Sequence, residues 1–310
     1  MLTQLFALLF SLFLVVRGAT ISTKYAVRLS NNYHIPKYVI GLIIVAMISI
    51  LPETFIALNS SFKDIPEFGL GTLFGSNVAD LTLVFAIILF FAGKNIKVQT
   101  KILKNSFVYP FIFFLPLIVG MNGHYSRLEG LFLIFVGILF YYFEFKNGLN
   151  NAPSRKIFNG KPIRNFLLLL LGMGFLLVGS HFTVIFGSNL AEAVGIPPIL
   201  IGLLIIGLGT TIPEMLFALH AVKQGKNSLA IGDILGTVLA DATIVVGLLA
   251  LVNPFSFEKN IIFITGFFML LSAFLLSYFL RTEKTLTRKE GLFLLLFWIV
   301  FACVEYFFNT

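Results

Sequence analysis

GLIIVAMISILPETFIAL at residues 41–58 returns as GLLIIGLGTTIPEMLFAL at residues 202–219, 161 positions later. Each copy is followed, at the same spacing, by a second segment: GTLFGSNVADLTLV at 71–84 and GDILGTVLADATIV at 232–245. At this constant offset Gly18 matches Gly179, Pro36 matches Pro197 and Gly41 matches Gly202. Pro52 matches Pro213, Glu53 matches Glu214 and Ala57 matches Ala218. Gly71 matches Gly232, Gly75 matches Gly236, Asp80 matches Asp241 and Thr82 matches Thr243. A shared apolar bias would align Leu with Ile; it would not align Pro, Glu and Asp over a gapless register, so the chain is a duplication.

The repeat lies in a chain of 310 residues that is 58% hydrophobic and 12% charged, with a mean hydropathy of +0.98. This composition excludes the soluble globular classes and fits an all-α polytopic membrane protein whose solvent is the lipid bilayer. The formal charge of +8 is read as loop Lys and Arg beside a membrane, not as a nucleic-acid surface. A single cysteine, Cys303, rules out a disulfide framework, and four scattered histidines give no transition-metal motif. No phosphate-binding GxxxxGK[ST] loop, HExxH helix or nucleophile elbow is present, so an enzyme is not expected and no cofactor is called for.

Windows of spanning length fall near 4–29, 36–62, 69–93, 103–121, 124–146, 164–190, 196–224, 228–252, 258–281 and 287–308. They predict ten transmembrane helices, the first taken as a span and not as a cleaved leader. The polar stretch KNGLNNAPSRKIFNGKPIR at 146–164 separates two five-helix halves, 1–146 and 164–310, joined by a cytoplasmic linker at 147–163. The repeated motifs occupy about 36–93 and 196–252. Because five is odd, the second half must enter the membrane upside-down, giving an inverted-topology repeat. With both termini outside, all but three of the 22 basic residues lie on inside loops; Lys63, Arg127 and Lys259 are the exceptions. The positive-inside rule then favours that orientation.

Carboxylates within a membrane are costly, which makes Glu53, Glu214, Asp80 and Asp241 candidate functional residues. Proline has no N–H and its ring opens the preceding turn. Pro52 is therefore expected to free carbonyls near Ile48 and Ser49, and Pro213 those near Gly209 and Thr210. Non-helical backbone at this depth must line a cavity or be buried in protein. Freed carbonyls, hydroxyls and carboxylates at one level form an oxygen cage. Such a cage suits a hard cation: Ca²⁺ takes six to eight oxygens in flexible geometry, whereas zinc prefers nitrogen and sulfur. Ser76 and Asp80, like Thr237 and Asp241, are i, i+4 and share a helix face. Thr82 and Thr243 are as readily explained by bonding back to their own helices. Asp233 is read as a solvated residue at a helix start, Glu305 as reaching the interface from the end of the last helix, and Glu144 as lying near a helix end.

These motifs resemble the repeats of the sodium/calcium exchanger family, within the cation/Ca²⁺ antiporter superfamily, and are most similar to its compact prokaryotic members. Gly-Thr-Thr-Ile-Pro-Glu at 209–214 is close to the family's G-T-S-L-P-E, and Gly75-Ser76-Asn77 matches its G-S-N. The resemblance implies ligands at Ala46, Ser49, Glu53 and Ser76, and at Thr210, Thr211, Glu214, Thr237 and Asp241. It further implies that Ca²⁺ and Na⁺ occupy overlapping sites, and that the first and sixth helices move to switch access. Three positions depart from the pattern. Ile50 replaces a Ser, Gly207 replaces an Ala whose carbonyl is the ligand, and Asp80 stands where close relatives often have Asn.

The expectation is an integral, multi-pass protein of a prokaryotic plasma membrane that exchanges Ca²⁺ for Na⁺ by alternating access; a monomer is compatible with it. Four crowded acids cannot all stay ionised without cations, so exchange coupled to H⁺ or K⁺ is the runner-up. A cation channel would share the acid-lined pathway, but inverted repeats around interrupted helices suit a transporter. A Ca²⁺ sensor with a relic site is the third class.

Overall fold

The computed structural model describes residues 2–30, 42, 45–93, 95–97, 108–149, 162–281 and 285–309. The first half supplies α1 (Leu2–Ser30), α2 (Leu51–Phe62, preceded by the short turn Ala46–Ser49), α3 (Pro66–Phe91), α4 (Val108–Val119) and α5 (Arg127–Leu149). The second supplies α6 (Pro162–Val194), α7 (Pro198–Lys223), α8 (Asn227–Val252), α9 (Lys259–Arg281) and α10 (Arg288–Asn309). Eight of the described helices are long and apolar enough to cross a membrane, and Val108–Asn122 is a shorter apolar helix. The expected span at 36–62 falls partly outside the described residues, as do the start of the 103–121 window and most of the 147–163 linker.

Where the helices meet, the repeat in sequence becomes a symmetry in space. α1 and α6 form the most extensive helix pair, and they run antiparallel. A Cβ on Gly18 would meet the backbone of Gly172 and Leu176, while one on Gly179 would meet Ser11 and Val15. Each contact maps onto the other when 161 is added to one partner and subtracted from the other. Thr183 Oγ1 donates to Ser11 Oγ at 3.1 Å, and Gly172 adjoins the Ser22 hydroxyl, which is the same exchange again. Gly130 packs against Gly247 and Ala250, and Gly291 against Ala86 and Leu89. Reciprocal contacts of this kind define a two-fold, and because α1 and α6 run antiparallel, that axis lies across them. Small residues at these crossings let backbones approach, which is how helices associate in lipid.

The helix starts repeat too. Ser126 N–H donates to Glu129 Oε2 at 2.7 Å, and Thr287 N–H donates to Glu290 Oε2 at 2.6 Å. Each hydroxyl also faces the N–H of its own glutamate, so both are capping boxes. Two short antiparallel pairs lie near these starts: β1 (Ile96–Lys97) with β4 (Thr285–Leu286), and β2 (His124–Tyr125) with β3 (Phe255–Ser256). Ser126→Ala or Thr287→Ala should each cost about 1 kcal/mol, read as a lower thermal midpoint of the detergent-solubilised protein with transport retained.

α3 and α8 are the innermost helices; more than four-fifths of each is buried, against about a third or less for α5, α6 and α10. The outer helices expose aromatic and aliphatic side chains such as Phe6, Phe10, Phe135, Leu170 and Phe307, the surface expected to face lipid.

One expectation is corrected. Both prolines were expected to interrupt their helices, but only the first copy is interrupted. The short turn ends at Ser49, and α2 begins at Leu51 with Pro52 in its first turn. α7 runs through Pro213 as helix from Gly207 to Lys223. Thr210 and Thr211 both donate their hydroxyls to the Gly207 carbonyl, at 3.1 and 2.8 Å, tying the turn before the proline. Threonine side chains re-satisfy backbone in this way; Ile50, at the position equivalent to Thr211, cannot.

Candidate cation site

Each inner helix crosses the Pro-Glu element of the opposite half, and glycine makes the crossing possible. A Cβ on Gly75 of α3 would overlap the Leu203 carbonyl of α7, and a Cβ on Gly236 of α8 would overlap the Leu42 carbonyl. The two pairs exchange under the same offset. Gly71 sits on Ile199, and Gly207 lies against the Ser76 backbone. The face of α3 bearing Ser76 and Asp80 is thereby brought to the element carrying Glu214. Gly236 likewise rests on the Cβ of Ala46, one residue before Thr237 and five before Asp241, which share a face of α8.

α3 and α8 share a second feature that periodicity does not reveal. Both switch from α- to π-helix at the aspartate, over Asp80–Val84 and Asp241–Val245; α7 has a π segment at Gly202–Ile206. Such wide turns loosen the backbone ladder and recur at functional sites. In each inner helix the aspartate is the first residue of that turn. Thr82 and Thr243 donate to Val78 and Leu239 of their own helices, so they are accounted for locally.

All the expected ligands are interior. Ala46, Ser49, Glu53, Ser76 and Asp80 are buried, as are Thr210, Thr211, Glu214, Thr237 and Asp241; Gly207 is buried as well. Both carboxylate oxygens of Glu53, Asp80, Glu214 and Asp241 lack a hydrogen-bond partner, and so does the Thr237 hydroxyl. Thr210 adjoins Glu53 across the two halves and Ser76 adjoins Asp241, near enough to interact but outside good hydrogen-bond geometry. Asp80 is within electrostatic reach of Glu53, and Glu214 of both. Taking one carboxylate out of water costs several kcal/mol, and leaving eight oxygens unpaired is tolerable only where something else meets them.

Among the described residues, no three carboxylate, imidazole or thiol groups converge closely enough to hold one metal ion by themselves. A cation here would take fewer carboxylates, with hydroxyl and carbonyl oxygens completing its shell. The donor set is oxygen only and fits a hard cation. The Gly207 carbonyl already accepts from two threonine hydroxyls, which uses the acceptor capacity expected of a ligand. The carbonyl of Gly209, four residues before Pro213, receives no N–H from that proline, and Leu12 of α1 lies directly over Gly209.

Two acids are not where the sequence reading puts them. Asp233 is not a solvated cap: it lies in the seventh position of α8, fully buried, accepting from Ser49 Oγ at 3.1 Å. Glu305 does not reach the interface: it is fully buried, with the Thr265 hydroxyl donating to it. Glu144, its equivalent in the first half, is buried too. For Asp233 the signal was present: a start at Asn227 puts residue 233 almost two turns in, beyond any cap.

Comparison with known proteins follows from this geometry. The family model described as sodium/calcium exchanger protein matches residues 3–146 and 164–307. The chain is 25% identical to the sodium/calcium exchanger MaX1 of Methanosarcina acetivorans, over 97% of each chain. It is 27% identical to the inner membrane protein YrbG of Escherichia coli, over 80% of this chain and 79% of the relative. Among solved structures, the sodium-calcium exchanger NCX_Mj superposes with a TM-score of 0.71 at 23% identity, over 96% of both chains. That likeness concerns the fold.

Proposed function

This chain belongs to the sodium/calcium exchanger protein family, and from that premise we propose that it exchanges Ca²⁺ for Na⁺ by alternating access at one carboxylate site near the membrane midplane. It is an integral membrane protein of a family of transporters. The observation that carries the proposal is the set of eight buried, unpartnered oxygens on Glu53, Asp80, Glu214 and Asp241, contributed equally by the two halves. Glu53 and Glu214 neutralise the two charges of Ca²⁺. Asp80, Asp241, Ser49, Ser76, Thr210, Thr211 and Thr237 complete the set that Na⁺ ions use in its place. Ala46 contributes backbone only, and Gly207, whose carbonyl is taken up by Thr210 and Thr211, serves the close packing against Ser76 instead of ligation.

Coupling follows from mutual exclusion. The same oxygens cannot serve Ca²⁺ and its counter-ion together, so each cargo must leave before the other enters. A site emptied of both holds unpaired charge in a low dielectric, and crossing in that condition is penalised. The ten-helix inverted repeat, with termini outside, divides at the 147–163 linker and places the site between its halves. α1 and α6 are the elements that move.

A second reading keeps the site and changes the counter-ion. Asp80 adds a carboxylate and Ile50 removes a hydroxyl, which favours coupling to H⁺ or K⁺. Uptake of radiolabelled Ca²⁺ into proteoliposomes, with Na⁺, K⁺ and pH gradients imposed one at a time, separates the two. An outward Na⁺ gradient alone should drive accumulation. Accumulation driven by pH and indifferent to Na⁺ would establish the second reading in its place. Single-channel current in a planar bilayer would reject both.

A further inference from the structure

Asp233 is a fifth buried carboxylate, and nothing in the repeated motif accounts for it: its equivalent in the first half is Thr72. The two residues do different things. Thr72 donates to the Phe68 carbonyl of its own helix at 3.0 Å. Asp233 receives the Ser49 hydroxyl from the other half through Oδ1, while its Oδ2 has no hydrogen-bond partner. Ser49 differs from its own equivalent in the same way. Thr210 spends its proton on the Gly207 carbonyl, whereas Ser49 spends its proton on Asp233.

The destination of that proton matters because a hydroxyl binds a cation through an oxygen lone pair, and has one O–H to place elsewhere. An ionised acceptor gives the stronger hydrogen bond. With the proton directed at Asp233, the lone pairs of Ser49 are left for an ion. This bond also sits beside the one expected ligand position that lost its oxygen, Ile50, and Asp233 is within electrostatic reach of Asp80 and Glu214. Ser49 lies four residues before Glu53, one turn away along the same Pro-Glu element.

We propose that Asp233 is a positioning residue of the transport site: it holds Ser49 with its lone pairs turned to the cation, and it adds negative charge where Ile50 has removed a ligand. The inference rests on the antiport reading above. It makes the two halves functionally unequal, with the first copy dependent on α8 for a ligand that the second copy orients within its own helix.

The test uses the purified full-length chain and Ca²⁺ alone as the probe, reading both Ca²⁺-dependent thermal stabilisation in detergent and the half-saturating Ca²⁺ of proteoliposome uptake. Outer partners that orient metal ligands are typically worth about 10- to 100-fold in affinity. Asp233→Asn should raise half-saturation by about that factor, and so should Ser49→Ala. Combining them should add little beyond the larger single effect, because both remove one interaction. Ser49→Thr keeps a hydroxyl and should recover most of the affinity that Ser49→Ala loses. If Asp233→Asn does not fold, the contrast between Ser49→Ala and Ser49→Thr carries the test. Unchanged half-saturation in Asp233→Asn, equal affinity in the two Ser49 variants, or full additivity in the pair would each overturn the inference while leaving antiport intact. Absence of any Ca²⁺ response in the unmodified protein would instead overturn the antiport reading, and this inference with it.

Discussion

Glu53→Gln and Glu214→Gln should each abolish Ca²⁺ exchange without weakening the fold. Glutamine keeps the size of the side chain and removes its charge. Both glutamates are buried and neither carboxylate has a hydrogen-bond partner, so no hydrogen bond within the protein is lost. What is lost is half of the charge set against Ca²⁺. Removing one partner from a buried ionic contact costs roughly 3–5 kcal/mol, or about two to four decades in affinity. The same change relieves a buried carboxylate of its desolvation cost, so the thermal midpoint measured in chelator should hold or rise. Loss of uptake together with preserved stability is a signature that a misfolded variant cannot produce. Near-normal radiolabelled Ca²⁺ uptake by either variant would reject the site.

Gly75→Ala and Gly236→Ala should have effects of the opposite kind, preventing the two halves from assembling. Each glycine lies where a Cβ would overlap a main-chain carbonyl of the other half, Leu203 in one case and Leu42 in the other. Overpacking a core typically costs about 1–3 kcal/mol, because a side chain can shift. Here the obstacle is backbone in the wall of the candidate site, and the cost should exceed that range. Little monodisperse protein should survive size-exclusion chromatography. Gly174→Ala is the control, since nothing lies within 4 Å of its Cβ position; in a helix it should be neutral or gain up to about 1 kcal/mol. Wild-type yield and uptake from Gly75→Ala would show that the crossing of α3 and α7 is not as tight as described.

The duplication, the helical membrane class and the four acids could be read from the sequence because each leaves a mark in residue type at fixed spacing. A proline, a glutamate or a glycine in apolar sequence is conspicuous, and a constant offset multiplies the signal. The π turns at Asp80 and Asp241 leave no such mark, since a single inserted hydrogen-bond step is compatible with the same residues as an ordinary helix. Continuity of α7 through Pro213 was hidden for another reason. It depends on where two threonine hydroxyls point, and the sequence shows only that they are present. Asp233 and Glu305 were misplaced by treating position along the chain as position in the bilayer. Both lie on helices whose acids turn inward to a hydroxyl from another element, Ser49 for one and Thr265 for the other. A hydroxyl far away in sequence cannot be assigned to a carboxylate before the fold brings them together.

The seam between α1 and α6 carries a consequence for leakage. Gly18 lies against the backbone of Gly172 and Leu176, and Gly179 against that of Ser11 and Val15, so at these crossings the two helices touch through their main chains. On the antiport proposal the pair would be displaced as one beam, and because the two helices run in opposite directions, a displacement that uncovers the site at one face would cover it at the other. A transporter with two independent gates must prevent both from opening at once by some further device. With a single beam the doubly open arrangement would have no coordinate along which to form, and the gradient driving the proposed exchange would not be spent on slippage.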